Sequence, residues 1–256
     1  MKRIMTLAAI FAAVAMTFSA CNKDEKPSGN NGGNNTENNG GENNGGEENE
    51  FTSKITIDGN YSDWDGLEGV LVATLPAGDV QYDQLKVFKV YADEVYIHIY
   101  CEYADDANTL VFVPYFDLDA DPATGNTSKW TGAGYEAKAE GGVYAEVQDG
   151  DDVTQGAPQA WDPSFYLYTD DGTEEVVASG MGAVTSSVPA AKGSNFAFEA
   201  SIVREFIADG YGLGDKLGIG MIQYDLTWSY IGKLPCLNYD DIDAGGLEPM
   251  LVVTLP

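Results

Sequence analysis

Histidine is almost missing from this 256-residue chain: His98 is the only one. Basic residues are scarce as well, 13 against 41 acidic ones, and there are three cysteines. Each shortage excludes something. One histidine rules out a His-rich metal motif, and no Cys-x-x-Cys-His run is present to attach haem. No Gly-x-Ser-x-Gly turn occurs. The glycines of "GYGLGDKLGIG", 210–220, do not fit the Gly-x-Gly-x-x-Gly phosphate fingerprint, and a β context lacks the strand-to-helix geometry it needs. The acidic excess repels nucleic acid and anionic lipid. Cations, neutral ligands and basic proteins remain as partners.

The apolar run Ile4 to Met16 is too short to span a bilayer. It follows Lys2 and Arg3 and reads as a secretory signal over residues 1–20. "FSAC" then places small residues before Cys21, which resembles the lipobox of bacterial lipoproteins, with Phe18 in place of the usual Leu. The resemblance implies a lipid on Cys21 and an outer-membrane address. Several acyl chains, at about 0.8 kcal/mol per buried methylene, anchor a protein stably. "NKDEKP", Asn22 to Pro27, resembles the surface-export signal of some Gram-negative lipoproteins and implies an outward-facing protein. Residues 28–50 are almost wholly Gly, Asn and Glu, with nothing apolar to repay ordering entropy. A coil of this length spans roughly 25–30 Å and holds the folded part off the membrane.

From Phe51 to Pro256 the pattern changes. In "VYIHIYC", Val95, Ile97, Ile99 and Cys101 face one way and Tyr96, His98 and Tyr100 the other. "FAFEASI" alternates similarly, as do "FYLY" and "VYAEV". Period two over short runs, punctuated by "DGDD" and "TDDG", means strands joined by tight turns. One segment, "VREFIADGYG", has room for a short helix. The expected fold is all-β, an antiparallel sandwich. "GLEGVLVATLP" (Gly66 to Pro76) and "GLEPMLVVTLP" (Gly246 to Pro256) agree at eight of eleven positions. Either the first and last strands share an environment, or two apolar strands are alike by chance.

"ITIDGNYSDWDGL", Ile55 to Leu67, resembles the opening strand and Asp-Trp motif of the DOMON-like superfamily, which includes the family-nine carbohydrate-binding modules. "FKVYADEVYIHIYCEY" is similar to that group's hairpin with an aspartate at the turn. "YFDLDADPATG" is similar to its Asp-x-Asp-x-x-x-x-Thr-Gly corner. "FAFEASIVREFI" resembles its strand and short helix, with Val203 replacing a proline, and "WSYIGKLP" resembles a late Trp-to-Leu-Pro stretch. The resemblance implies a sandwich of jelly-roll type that binds sugar, binds haem or serves as a partner module. A lone strand histidine does not supply a haem site, so none is expected.

Two further sets of residues are candidates for chemistry. Asp117 and Asp119 share a face of an extended strand, and the turn brings Asp121 near them. Calcium takes six to eight hard oxygens at about 2.3–2.6 Å. Pro122 and Ser128 stand where an EF-hand requires Gly and Glu, so that motif is excluded. The corner is a cation site or a solvated acidic turn, and calcium in the resembled group favours the first. Trp130 and Trp161 sit in polar, turn-like sequence and are the candidate platforms for sugar rings. Trp64 and Trp228 are assigned to core packing. Cys101 and Cys236 either pair or remain buried thiols, and "YDDID", Tyr239 to Asp243, is an acidic loop.

Nothing in the sequence supplies the opposed carboxylates of a glycosidase. The expectation is a non-catalytic, lipid-anchored surface lipoprotein with a glycan-binding β-sandwich. The alternative is a structural or protein-interaction module of a surface assembly.

Overall fold

Alternating side chains become paired strands wherever both faces find cover, and here they do on both sides of each sheet. The computed structural model describes residues 51–104, 109–150, 152–168, 173–179, 182–236 and 248–256. The signal, Cys21, the Gly/Asn/Glu segment and the 239–243 loop lie outside the described residues.

A 3₁₀ turn, Tyr61–Trp64, precedes the strands. In chain order these are β1 (Leu71–Thr74), β2 (Leu85–Ala92), β3 (Tyr96–Ala104), β4 (Thr109–Asp117), β5 (Ala137–Glu140), β6 (Tyr144–Asp149), β7 (Asp152–Pro158) and β8 (Ser164–Tyr168). Then come β9 (Glu174–Ser179), β10 (Val184–Ser186), β11 (Ala190–Lys192), β12 (Asn195–Val203), the helix α1 (Arg204–Tyr211), β13 (Lys216–Asp225), β14 (Tyr230–Leu234) and β15 (Leu251–Thr254). The helix is the expected short one. It stops at Gly212, whose φ of 80° suits the left-handed cap that glycine adopts without strain.

Every pairing among the described residues is antiparallel. The first sheet runs β1-β2-β3-β12-β10, with β11 also on β12. The second runs β14-β13-β4-β5-β8-β9, with β15 on β13. β6 and β7 form a separate ribbon. An Asp83–Gly232 bridge ties the start of β2 to β14 and joins the two sheets at one edge. The fold is therefore an antiparallel β-sandwich.

Between the sheets lies the main core, with Phe88, Ile99, Phe112, Phe116, Phe198 and Ile219 among its members. Cys101 and Cys236 both belong to it, and among the described residues there is no disulfide.

The outer face of the first sheet is also buried. Residues 51–70 cross it as a strap, packing Ile55 and Trp64 against Tyr91, Tyr100 and Ala197. Glu199, on β12, holds this strap in place. It accepts hydrogen bonds from Trp64 Nε1 at 2.8 Å and from the backbone N–H groups of Gly59 at 2.9 Å and Asp58 at 3.2 Å. The Asp-Gly and Asp-Trp pieces of the opening motif thus lock onto the glutamate of "FAFEASI". Beneath the strap, His98 Nε2 meets Asp93 Oδ2 at 2.8 Å and its Nδ1 meets Ser201 Oγ at 2.6 Å. The Tyr96–His98–Tyr100 stripe is therefore a covered face rather than an open sheet surface.

The two echoing segments carry β1 and β15, which lie against each other as strands of opposite sheets. Their exposure alternates identically, with Val72 and Val252 outward and Ala73 and Val253 inward. Like environments account for the like sequences.

Candidate functional site: an aromatic cleft and a carboxylate corner

The outer face of the second sheet carries its own apolar cluster, built from Val111, Val113, Tyr115, Trp130, Tyr135 and Ile222. Glycines in β13 make room for it. A Cβ on Gly220 would lie 2.5 Å from the Trp130 ring, and one on Gly218 would lie 2.8 Å from Asp117 Cβ. Glycine inside a strand here marks a close approach rather than a phosphate loop.

Above this cluster opens a cleft of about 360 Å³. Tyr115 and Tyr135 form its floor, edge to face with ring centroids 4.9 Å apart. Tyr168, from β8, meets Tyr135 at 5.1 Å. Tyr224 and Tyr230, from β13 and β14, stand 5.0 Å apart, and the Tyr224 and Tyr115 hydroxyls are 2.8 Å apart. Loop residues 126–129 make one wall. Ser128 Oγ lies 2.8 Å from the Tyr135 hydroxyl, and Lys129 Nζ donates to the Tyr230 hydroxyl at 2.7 Å. Lys138 binds Glu174 at 2.8 Å and Glu140 at 3.1 Å.

Burial pushes the Tyr115 phenol well above its ordinary value and moves Tyr135 up to about 12. The phenols of Tyr168 and Tyr224 are raised too, again chiefly by burial. These four are therefore neutral hydroxyls at physiological pH, each able to donate and accept. Burial disfavours the Lys138 ammonium, but Glu174 and Glu140 outweigh that and raise its pKa. Glu174 moves the opposite way: burial alone would raise it, and hydrogen bonds from Lys138 and Tyr168 hold it below the usual carboxylate range.

Trp228 completes the rim. It is 54% exposed, with its ring 5.8 Å from Tyr224. Its φ is +63°, in the left-handed region that costs a side-chain-bearing residue about 1–2 kcal/mol. Asp225 holds the turn, its Oδ1 accepting from Thr227 N, Thr227 Oγ1 and Ser229 N, each at 2.8 Å.

The expectations for three of the four tryptophans are thus reversed. Trp130 and Trp161 are each 1% exposed and present no face to solvent. Trp130 donates to the Pro235 carbonyl at 3.0 Å behind the cleft, and Trp161 donates to the Gly141 carbonyl at 3.0 Å. Trp64 is buried as expected, whereas Trp228, assigned to the core, stands at the rim. The tyrosines that line the cleft come from strands far apart in sequence, and only their abundance could have signalled them.

The aspartate corner also differs from expectation. Asp117, Asp119 and Glu136 bring one carboxylate oxygen each to within 4.8 Å of the others. Asp121 is not in the group. Its Oδ1 accepts from Ala123 N at 2.9 Å, and its carbonyl accepts from Thr124, so it shapes the turn instead. Glu136, eighteen residues beyond Leu118, takes the third place. Its Oε2 accepts from Leu118 N and its Oε1 from Thr124 Oγ1, both at 2.8 Å. Asp117 is 2% exposed; its Oδ2 accepts from Gly134 N at 3.0 Å, and the backbone N–H groups of Ala120 and Asp121 also act on its carboxylate. Burial raises the pKa of both Asp117 and Glu136, and neighbouring carboxylates add to it. No ion pair to these three occurs among the described residues. The donor set is all oxygen, the kind that a hard cation such as calcium takes.

A β-sandwich bearing an aromatic-walled cleft on one outer face is the class defined by these features. No family model matches the chain, and no curated protein matches it. Two solved structures are similar in backbone path. One is a family 9 carbohydrate-binding module from Caldicellulosiruptor kristjanssonii in complex with cellotriose, at 12% identity and a TM-score of 0.36, covering 77% of this chain and 91% of that one. The other is a family 9 module from the same organism in complex with glucose, at 12% identity and a TM-score of 0.39, covering 80% and 92%. The fold stated above stands on the strand pairings and not on this likeness.

Proposed function

We propose that this domain is a non-catalytic glycan-binding module, carried on the outer membrane of a Gram-negative cell by a lipid on Cys21, and that it holds a short neutral glycan in the cleft between Trp228 and the Tyr115–Tyr135 floor. Trp228 carries the reading. An exposed indole in a strained conformation, braced by three hydrogen bonds, is expensive to keep unless its face meets a ligand. Neutral tyrosine hydroxyls, Ser128 and Asn126 supply donors and acceptors for sugar hydroxyls, and aromatic faces take the C–H faces of the ring. Lys138 balances Glu174, so the cleft has no net demand for a charged ligand. Ionised Glu174, engaged by Lys138, is poorly placed to act as a general acid. The volume is at the lower end of the ~300–1,000 Å³ range of small-molecule sites, which suits one or two rings. A calcium ion at Asp117, Asp119 and Glu136 would brace the corner beside the cleft.

A glycan array probed with the full chain, followed by calorimetry on the best ligand, tests this reading. Trp228→Ala should weaken binding tenfold or more, a change of about 1.4 kcal/mol, with the thermal midpoint unchanged. A folded protein that binds no neutral glycan overturns it.

A further inference from the structure

We infer that the free side of β15, with the apolar pocket at its end, takes an extended basic peptide from a partner protein, added to the second sheet as one more strand. The site is separate from the tyrosine cleft and does not rest on the glycan reading.

The phase of the hydrogen bonds fixes which backbone groups are free. In an antiparallel pair, successive residues bond alternately toward the partner strand and away from it. Leu255 N donates to the Asp215 carbonyl at 2.9 Å, so Leu255, Val253 and Leu251 bond toward β13. Val252 and Thr254 therefore turn their N–H and C=O groups away from β13. Leu75 N donates to the Lys86 carbonyl at 2.9 Å in the same phase, so Val72 and Thr74 turn away from β2. Among the described residues no strand pairs with either free side. Both side chains on that phase of β15, Val252 and Thr254, are exposed. A bare row of backbone donors and acceptors is a template for another strand.

What sets β15 apart is where it ends. A pocket of about 480 Å³ opens there, larger than the tyrosine cleft. Val253, Leu255 and Pro256 line it together with Phe51, Tyr91 and Ala92. Phe51 is 40% exposed, so apolar surface at the mouth is left uncovered. Backbone pairing along an edge, with an apolar side chain dropped into a pocket, is how sheets recognise extended peptides.

Charge selects among the occupants. A second copy would bring the same excess, 41 acidic residues against 13 basic ones, and be repelled. At the pocket, Glu94 is part of the lining and Glu68 precedes Gly69, which also lines it. Both glutamates are exposed and make no ion pair among the described residues. The other charges there are already engaged. Asp93 holds Ser53, His98 and the N–H groups of Val95 and Tyr96, and Arg204 donates to the Asp93 and Pro256 carbonyls. Lys54, at the rim, and Lys216, opposite Thr254, are exposed on long flexible stems. Glu68 and Glu94 are thus left to meet cationic residues on either side of an apolar anchor.

The test uses the full chain and three labelled synthetic peptides: Lys-Val-Lys-Phe-Lys-Val, its counterpart with Glu for every Lys, and the first peptide with N-methylated amides. By fluorescence anisotropy the first should bind, and the other two should bind at least about tenfold more weakly. Amide exchange at Val252 and Thr254 should slow in the complex. Thr254→Pro removes an N–H on the free side, where an edge strand tolerates proline. It should keep the thermal midpoint and weaken the first peptide about tenfold, while Val72→Pro should leave it unchanged. The N-methylated peptide makes the same test without altering the protein. No binding of the first peptide overturns the inference. Equal binding of the N-methylated peptide overturns it too, because the pocket then takes an apolar group without a strand. Equal binding of the Glu peptide overturns the basic partner. A dimer in sedimentation that Thr254→Pro dissolves gives the edge to a second copy and overturns it as well.

Discussion

Trp130 and Trp228 show how little a residue's own neighbourhood in sequence decides. Both are flanked by Ser, Thr or Lys, yet one is buried and the other stands in solvent. The difference comes from elsewhere: Gly220, on β13, leaves the hollow that receives the Trp130 ring. No local pattern around Trp130 reports that hollow. His98 shows the same at its buried site. Burial lowers its pKa, against the opposing pull of Asp93, so it is neutral in the folded protein at pH 7. The unfolded chain has the higher pKa, about 6.5, and takes up the proton first. His98 therefore contributes full stability above about pH 6.5 and loses it as pH falls below that value, at no more than about 1.4 kcal/mol per pH unit. Asp117 and Glu136, with raised pKa values, act with the opposite sign: their charge costs stability as pH rises through the folded values. The discriminating measurement is thus the difference between the protein and His98→Gln, by urea denaturation at pH 7 and pH 5. The parent should lose more stability than the variant over that interval; parallel losses would show that His98 does not titrate differently on unfolding.

At the scale of elements, the period-two runs were readable because alternation needs only a sheet with two kinds of face. What covered each outer face was not readable. Covering depends on pairings such as β3 with β12 in unbroken antiparallel register, which brings Glu199 opposite Tyr100 and beneath the strap. The motif pieces "IDG", "DW" and "FAFEAS" lie far apart in sequence, and nothing in them reports that they meet at one carboxylate. That carboxylate is a clear target. Glu199→Ala leaves the buried Trp64 indole N–H and the part-buried backbone N–H groups of Asp58 and Gly59 without their acceptor. At about 1–3 kcal/mol per orphaned donor, a loss of about 3–5 kcal/mol is expected. Cleavage by a nonspecific protease should then begin within residues 51–70, because the strap has lost its anchor while the sandwich core is untouched. If cleavage instead begins in the β6–β7 ribbon at the parent rate, Glu199 is not what holds the strap. The acidic corner was partly legible in the same way. Asp117 and Asp119 were visible from their spacing, whereas Glu136 reaches them only because the loop returns beside β4.

At the scale of the whole molecule, 41 acidic residues against 13 basic ones make self-repulsion a standing cost of compactness. The charge was legible from composition; where it concentrates was not, since only the fold gathers three carboxylates at one corner. Two kinds of ion relieve these two costs differently. Sodium chloride screens the diffuse repulsion, because the Debye length falls from about 30 Å at 0.01 M to about 8 Å at 0.15 M. The thermal midpoint should rise over that interval in the parent and in Asp119→Asn alike. Calcium at matched ionic strength should raise the parent further by mass action, about 2.7 kcal/mol at a hundredfold excess over its dissociation constant, and should leave Asp119→Asn at its sodium value. A calcium response no larger than that of sodium would mean that the corner is only part of the diffuse field, and that the carboxylates are held by Thr124, Gly134 and Leu118 without an ion.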